Sequence, residues 1–330
     1  MSARTQGRIA GLDLLRGIAI GLVLLRHAAP ELAVGAGVVG VVMFFALSGY
    51  LITGLLADEL DRTGRLDLRR FYARRARRLV PALLLLVAAV GVVTVLLDPL
   101  GDRDQLVKTV VVALTWTGNL PFGHASDATF HLWTLATEEQ FYLMWPALLV
   151  LLGPRRGLVV AAVSTVGLLL ATVIWLRAVP DNAYSLPTPW AVCFVIGAAA
   201  RLHGHRVAMP RWAAPLALVG LAVLSVIPLR GHALTYLAGG PAIATLTAVL
   251  VLSWRTWTEV SGPGLRVLAW LGTISYGAYL WNYPLTLWLR PHLDHAGLLA
   301  TGLTIGAAAA SWYVVERPTH ASRTRTAVPV

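Results

Sequence analysis

The feature that most constrains this sequence is a series of apolar runs, each about as long as a helix needs to cross a lipid bilayer. They fall at about 11–28, 37–57, 79–97, 131–152, 157–176, 189–203, 212–228, 234–253, 267–288 and 297–315, separated by polar or Pro/Gly-rich punctuation. A spanning helix takes about 20 mostly apolar residues, so a chain of 330 residues holds these runs with little left over for an extramembrane domain. The expected fold is all-α: a polytopic membrane protein of about ten transmembrane helices, forming a single membrane-embedded domain over 1–330 with no fused soluble domain. The balance of 57% hydrophobic to 13% charged residues excludes an ordinary soluble domain, in which about a quarter of residues are charged.

Charge sets the orientation. The chain carries 27 Lys+Arg against 16 Asp+Glu. With a cytoplasmic N-terminus, the inner loops collect Arg4, Arg8, eight arginines between 58 and 78, Arg155, Arg156, Arg201, Arg206, Arg211, Arg255, Arg266, Arg317, Arg323 and Arg325. The outer set is Arg26, Arg103, Lys108, Arg177, Arg230 and Arg290, while Arg16 lies inside the first run. Cytoplasmic loops are enriched in Lys and Arg and anionic headgroups attract them, so both termini are expected inside. The net charge of +11 is thereby explained by membrane lipids as partners, without nucleic acid. The segment 105–120 is apolar but short, and counting it as a span would move Arg155 and Arg156 outside; it is expected as a re-entrant or interfacial helix on the outer side. Arg4 and Arg8 ahead of an apolar run resemble a signal peptide, but Asp13 and Arg16 interrupt the run and a second apolar segment follows, so it is read as the first span.

Ionisable groups inside spans are expensive and point to function. The first run carries Asp13, Arg16 and His27. Arg16 and His27 are eleven residues apart, about 16 Å along a helix and on nearly the same face. One helix would therefore present a cation to an anionic cofactor on the inner side and an imidazole to an acceptor on the outer side; the plainer alternative is an Asp13–Arg16 pair with His27 reaching to the interface. The run HLWTLATEEQFYLMWP places Glu138 and Glu139 about two turns into a helix. Adjacent residues point about 100° apart, so one of them, taken as Glu138, faces the interior with Tyr142 and Trp145; an ion pair that merely fixes the helix is the alternative. RRFYARRARRLVPAL holds Arg74, Arg75 and Arg78 just before the third span. Guanidiniums grip phosphate oxygens through a bidentate fork, although positive-inside anchoring alone would also produce such a cluster. The second span contributes Ser48 and Gly49, the latter for close helix packing. Tyr276, Tyr279 and Tyr283 share one stripe with Asn282 nearby, either lining a substrate or forming an aromatic core. Cys193, the single cysteine, offers no disulfide, and the histidines show no metal-ligand spacing, so no metal is expected.

Taken in order, RIAGLDLLRG with its Arg16-to-His27 spacing, GVVGVVMFFALSGYLI, FYARRARRLVPAL, HLWTLATEEQFYLMWPALL, ISYGAYLWNYPL and VERP resemble acyltransferase family 3, the integral-membrane acyltransferases that modify bacterial O-antigens and macrolides. The resemblance covers most of residues 8–318. It implies a ten-helix fold that moves an acyl group, often acetyl, from cytoplasmic acyl-CoA to a hydroxyl, commonly of a sugar. By the same resemblance His27 is the catalytic histidine, Arg16 its partner, Arg75 and Arg78 the paired arginines of the third helix, and Glu138 the acidic position of the fourth. Thr134 replaces the usual serine, and Asn282 stands where many members have histidine.

The expected function is acyl-CoA-dependent O-acyl transfer in the cell membrane, with His27 as general base toward a carbohydrate hydroxyl. Arg74, Arg75, Arg78 and Ser48 would hold acetyl-CoA or another acyl-CoA, and Asp13, Trp133, Tyr142, Tyr276, Tyr279 and Asn282 would line the substrate path. An acyl-histidine relay uses the same residues. The rival reading is a transporter or flippase for an anionic or lipid-linked solute, since buried charges also mark transport paths, but the sequence shows no inverted repeat.

Overall fold

A run with no water to satisfy its backbone must bond internally, and each of the long runs is helical in the computed structural model. Residues 9–120, 125–293 and 296–317 are described. Among them are eleven α-helices and no strand: α1 (Ala10–Ala28), α2 (Ala36–Thr63), α3 (Leu68–Leu96), α4 (Leu106–Leu114), α5 (Trp133–Trp175), α6 (Ala191–His203), α7 (Ala213–Val226), α8 (Gly240–Trp254), α9 (Pro263–Thr273), α10 (Ser275–Leu289) and α11 (Ala296–Ser311). Arg4, Arg8, Arg323 and Arg325, on which part of the orientation argument rests, lie outside the described residues.

Among the described residues five segments are long and apolar enough to cross a membrane: Ala36–Thr63, Leu68–Leu96, Asp127–Trp175, Thr235–Trp254 and Ala296–Glu316. Their outward faces are apolar too. Leu96, Leu151, Val163, Ile174 and Trp175 are all exposed, where a helix of a water-soluble protein would turn charged residues outward. Such a distribution marks a membrane protein.

Three local results refine the sequence reading. First, α5 contains two of the expected runs. It is interrupted at Gly153, at φ 74° and ψ 168°, a conformation open to glycine but not to residues with a Cβ, and Pro154 opens the helix beyond it. Gly157 lies against Leu148 and Leu149, residues that would be about 13 Å away along a straight helix, so the chain folds back and 131–152 and 157–176 are separate helices. Second, α4 has nine residues and is about 13 Å long. That is under half of the roughly 30 Å hydrocarbon core, so the 105–120 run does not cross it as a helix. Third, the run 267–288 is not one helix. Ile274 (φ −99°, ψ 8°) separates α9 from α10, because Thr273 turns its hydroxyl back onto the Trp270 carbonyl at 2.7 Å, a local bond that competes with helix continuation, and β-branched Thr273 and Ile274 favour helix weakly.

The chain falls into two compact units, each made of two stretches: residues 1–65 with 140–273, and residues 66–139 with 274–330. In the first, α2 is central and packs against α1, α6, α7 and α8. Its apolar window is 72% buried against 22% for Asp127–Trp175. Small residues permit these contacts: Gly40 meets the Ala19 carbonyl, Gly49 the Phe194 carbonyl and Gly197 the Ala46 carbonyl. Gly49 thus has the packing role expected of it. In the second unit, Leu83, Leu86, Val87 and Val90 of α3 form a core with Ala113 of α4, Ala128, Leu132 and Leu280 of α10.

Candidate active site

In the first unit α1 runs unbroken from Ala10 to Ala28, so Arg16 and His27 keep the helical spacing that the sequence implies. Asp13 is buried, and its carboxylate pairs with Arg16 at 3.4 Å. Burial comes from α9: Gly17 meets the Leu268 carbonyl and Gly272 meets the Asp13 carbonyl, so the two backbones touch across the turn that carries the pair. The Asp13–Arg16 pairing foreseen as the plainer alternative is therefore present. His27 sits half-buried in the last turn of α1. Next to it, Arg26 Nη1 donates to the Pro30 carbonyl at 3.3 Å and ties down the chain where the helix ends. Ser48 is half-buried on α2. Tyr142 and Trp145 are buried on α5, where Trp145 Nε1 donates to Thr53 Oγ1 of α2 at 2.8 Å, which places both on the inward face that the helical spacing predicts.

In the second unit an arginine of α3 meets a carboxylate. Arg75 Nη2 donates to Glu139 Oε1 at 3.2 Å, with side chains 17% and 19% exposed. Arg78 is exposed, and Ser311 Oγ donates to Glu316 Oε1 at 3.3 Å. Tyr276 Oη donates to the Leu79 carbonyl of α3 at 2.9 Å. Arg74 and Glu138 are both half-buried. Glu139, which the sequence reading passed over in favour of Glu138, is the carboxylate that holds Arg75. Reading one inward face from a Glu-Glu pair does not show that both neighbours stay partly buried, as they do here.

The sequence reading assigned no role to His131. His131, 5% exposed, precedes α5 in a short 3-10 turn (Asp127–Leu132). Its Nε2 lies 3.1 Å from the Leu280 carbonyl, and its ring stacks on Tyr283 at 5.2 Å and lies 5.5 Å from Tyr279. Tyr279 Oη donates to the His131 carbonyl at 2.9 Å and accepts from Thr134 Oγ1 at 2.6 Å. Tyr279 is thus hydrogen-bonded to the start of α5, and Trp133 is buried beside it in sequence. Asn282 is buried and its Nδ2 donates to Thr304 Oγ1 of α11 at 3.4 Å, a contact that joins two helices. Among the described residues no group of three or more His, Cys, Asp and Glu side chains is arranged to hold a metal ion.

The profile of a family described as an acyltransferase domain, acyltransferase 3, matches residues 9–316. The chain belongs to acyltransferase family 3. Among curated proteins, it is 28% identical over 321 residues to the peptidoglycan O-acetyltransferase OatA of Listeria monocytogenes, covering 87% of this chain and 50% of that protein. It is 29% identical over 354 residues to the Bacillus subtilis protein named "Putative peptidoglycan O-acetyltransferase YrhL", covering 94% of this chain and 54% of that one. The chain thus spans about half the length of these acyltransferase 3 relatives. No solved structure is significantly similar to it.

Proposed function

We propose that this acyltransferase 3 protein is a multi-pass enzyme of the cell membrane that moves an acetyl or short acyl group from cytoplasmic acyl-CoA to a hydroxyl of a cell-envelope glycan or related carbohydrate. The family match over residues 9–316 carries this reading. The names of its relatives, which specify peptidoglycan O-acetylation, make a peptidoglycan sugar hydroxyl the first acceptor to try. About ten crossings with both termini inside accommodate the helices and the arginine distribution together. The family match leaves the transporter reading without support.

In this mechanism His27 takes the proton of the acceptor hydroxyl while the oxygen attacks the thioester carbonyl. The tetrahedral intermediate collapses with rupture of the C–S bond, and the imidazolium returns its proton to the departing CoA thiolate. Arg74, Arg75 and Arg78 grip donor phosphates, Ser48 offers the donor a hydroxyl, Arg16 lines the acyl path with Asp13 as its counter-ion, and Glu138 orients a polar partner.

The test is release of free CoA from acetyl-CoA by detergent-purified protein, with peptidoglycan fragments and a panel of other sugars as acceptors. Turnover in the wild type that vanishes in His27→Ala, with acetyl-CoA binding intact, is expected. Equal turnover in His27→Ala refutes the base; absence of turnover with every donor and acceptor refutes the acyltransferase reading.

A further inference from the structure

Helix α10 contains Pro284. Proline has no N–H to give to the carbonyl four residues earlier, so the Leu280 carbonyl loses its place in the helical ladder. Leu280 is fully buried, and a buried carbonyl left without a donor is costly. At that carbonyl stands His131 Nε2, 3.1 Å away. A carbonyl can only accept, so Nε2 carries the proton, which fixes the tautomer. The backbone of the same residue is tied to the same helix, since Tyr279 Oη donates to the His131 carbonyl at 2.9 Å. Its ring stacks on Tyr283, one turn beyond Tyr279. One residue therefore grips α10 by side chain, backbone and ring face, at the point where proline has opened the helix.

We propose that His131 is a positioning residue for the acyl-transfer reaction: by donating to the Leu280 carbonyl exposed by Pro284, it locks the start of α5 to α10 and so fixes the turns that carry Glu138 and Glu139. The distance from His131 to these carboxylates is two helical turns with no glycine or proline between, so a slip at the clamp is transmitted to them. This inference rests on the acyltransferase reading for its kinetic part only; the clamp itself is a statement about hydrogen bonding and is tested without turnover.

The test is a cycle on the full chain in detergent, with His131→Leu, His131→Gln, Pro284→Ala and the His131→Leu/Pro284→Ala double variant. Leucine removes the donor, glutamine keeps an amide N–H at about the same reach, and alanine at 284 restores the backbone N–H so that the Leu280 carbonyl bonds within its own helix. His131→Leu is expected to lower the Tm by about 2–8 °C, and this loss is expected to shrink by at least half in the Pro284→Ala background and in His131→Gln. Where the wild type turns over, His131→Leu is expected to lower kcat about 10- to 100-fold with donor KM changed less, and both rescues are expected to recover most of it. A Tm loss of the same size with and without Pro284 overturns the clamp whether or not turnover is seen. Wild-type kcat in His131→Leu, or a kcat loss that neither rescue repairs, overturns the positioning role. A wild type without turnover fails the acyltransferase reading and leaves the clamp to be decided by the Tm cycle.

Discussion

Helix α1 provides its own control for the contact that shapes the first unit. A methyl group added at Gly17 points into the Leu268 carbonyl of α9, stands 2.6 Å from its carbonyl carbon and 3.3 Å from Gly272 N. Ordinary carbon contacts lie at about 3.5–4 Å, and the obstacle is backbone, so α9 must recede by about 1 Å. One turn along the same helix, a methyl at Gly21 meets nothing within 4 Å. Both Gly→Ala changes gain the same helix propensity, about 0.5–1 kcal/mol. That term cancels between them, and only the overpacking cost of about 1–3 kcal/mol remains. At about 2–4 °C per kcal/mol, Gly17→Ala is expected to melt about 2–12 °C below Gly21→Ala, and Gly21→Ala at or above the wild type. Thermal unfolding of the two purified variants in one detergent, followed by tryptophan fluorescence or by loss of the monodisperse peak, checks the order. A Gly17→Ala protein as stable as Gly21→Ala would mean that α1 and α9 do not meet backbone to backbone, and the shielding of the Asp13–Arg16 pair would lose its cause.

Two other changes test the second unit. Glu139→Gln removes the counter-ion of Arg75 and is expected to cost about 1–3 kcal/mol of stability while lowering the acyl-CoA Kd, as read by calorimetry; a higher Kd would refute the view that Glu139 and the donor phosphates compete for one guanidinium. Thr134→Ser keeps the hydroxyl that donates to Tyr279 and is expected to match the wild type in Tm and kcat, whereas isosteric Thr134→Val is expected to lose about 1 kcal/mol by thermal unfolding, and equal stability of the two variants would show that the hydroxyl is idle.

The architecture was legible to the extent that hydrophobic patterning dictates it. Long apolar runs gave helices, Gly153-Pro154 marked the turn inside α5, and the shortness of 105–120 kept it from being counted as a span. The break at Ile274 was not legible, because its residues are as apolar as a continuous span and the signal is a threonine hydroxyl choosing a local carbonyl over solvent. The site was legible by residue type more than by pairing. Arg16, Asp13 and Tyr279 stood out as polar groups in apolar runs and Arg75 as part of an arginine cluster before the third, but which carboxylate of Glu138 and Glu139 meets Arg75 depends on how α3 packs against the start of α5. His131 was given no role although half of its signal is in the sequence: Pro284 announces an orphaned carbonyl at residue 280, and only the fold says which donor reaches it.

The two ion pairs follow one physical rule. An arginine in an apolar bundle cannot wait uncompensated for a substrate, since an unpaired buried charge is far costlier than a paired one. Arg16 is accordingly held by Asp13 and Arg75 by Glu139. Binding of an anionic donor at such an arginine is then an exchange of one anion for another. It costs less desolvation than binding to a bare cation, because the guanidinium has already left bulk water, but it must displace or share a carboxylate. A phosphate has the advantage in that contest through its greater charge and its fit to the bidentate guanidinium fork, and the displaced carboxylate becomes available to a new partner. On the proposed function, donor binding at Arg75 therefore removes the counter-ion of Glu139 in the α5 turn that holds Glu138 and Glu139. Two turns before it, the chain entering α5 is tied to α10 through His131, and on the proposed clamp this holds the turn in place while its side chains exchange partners.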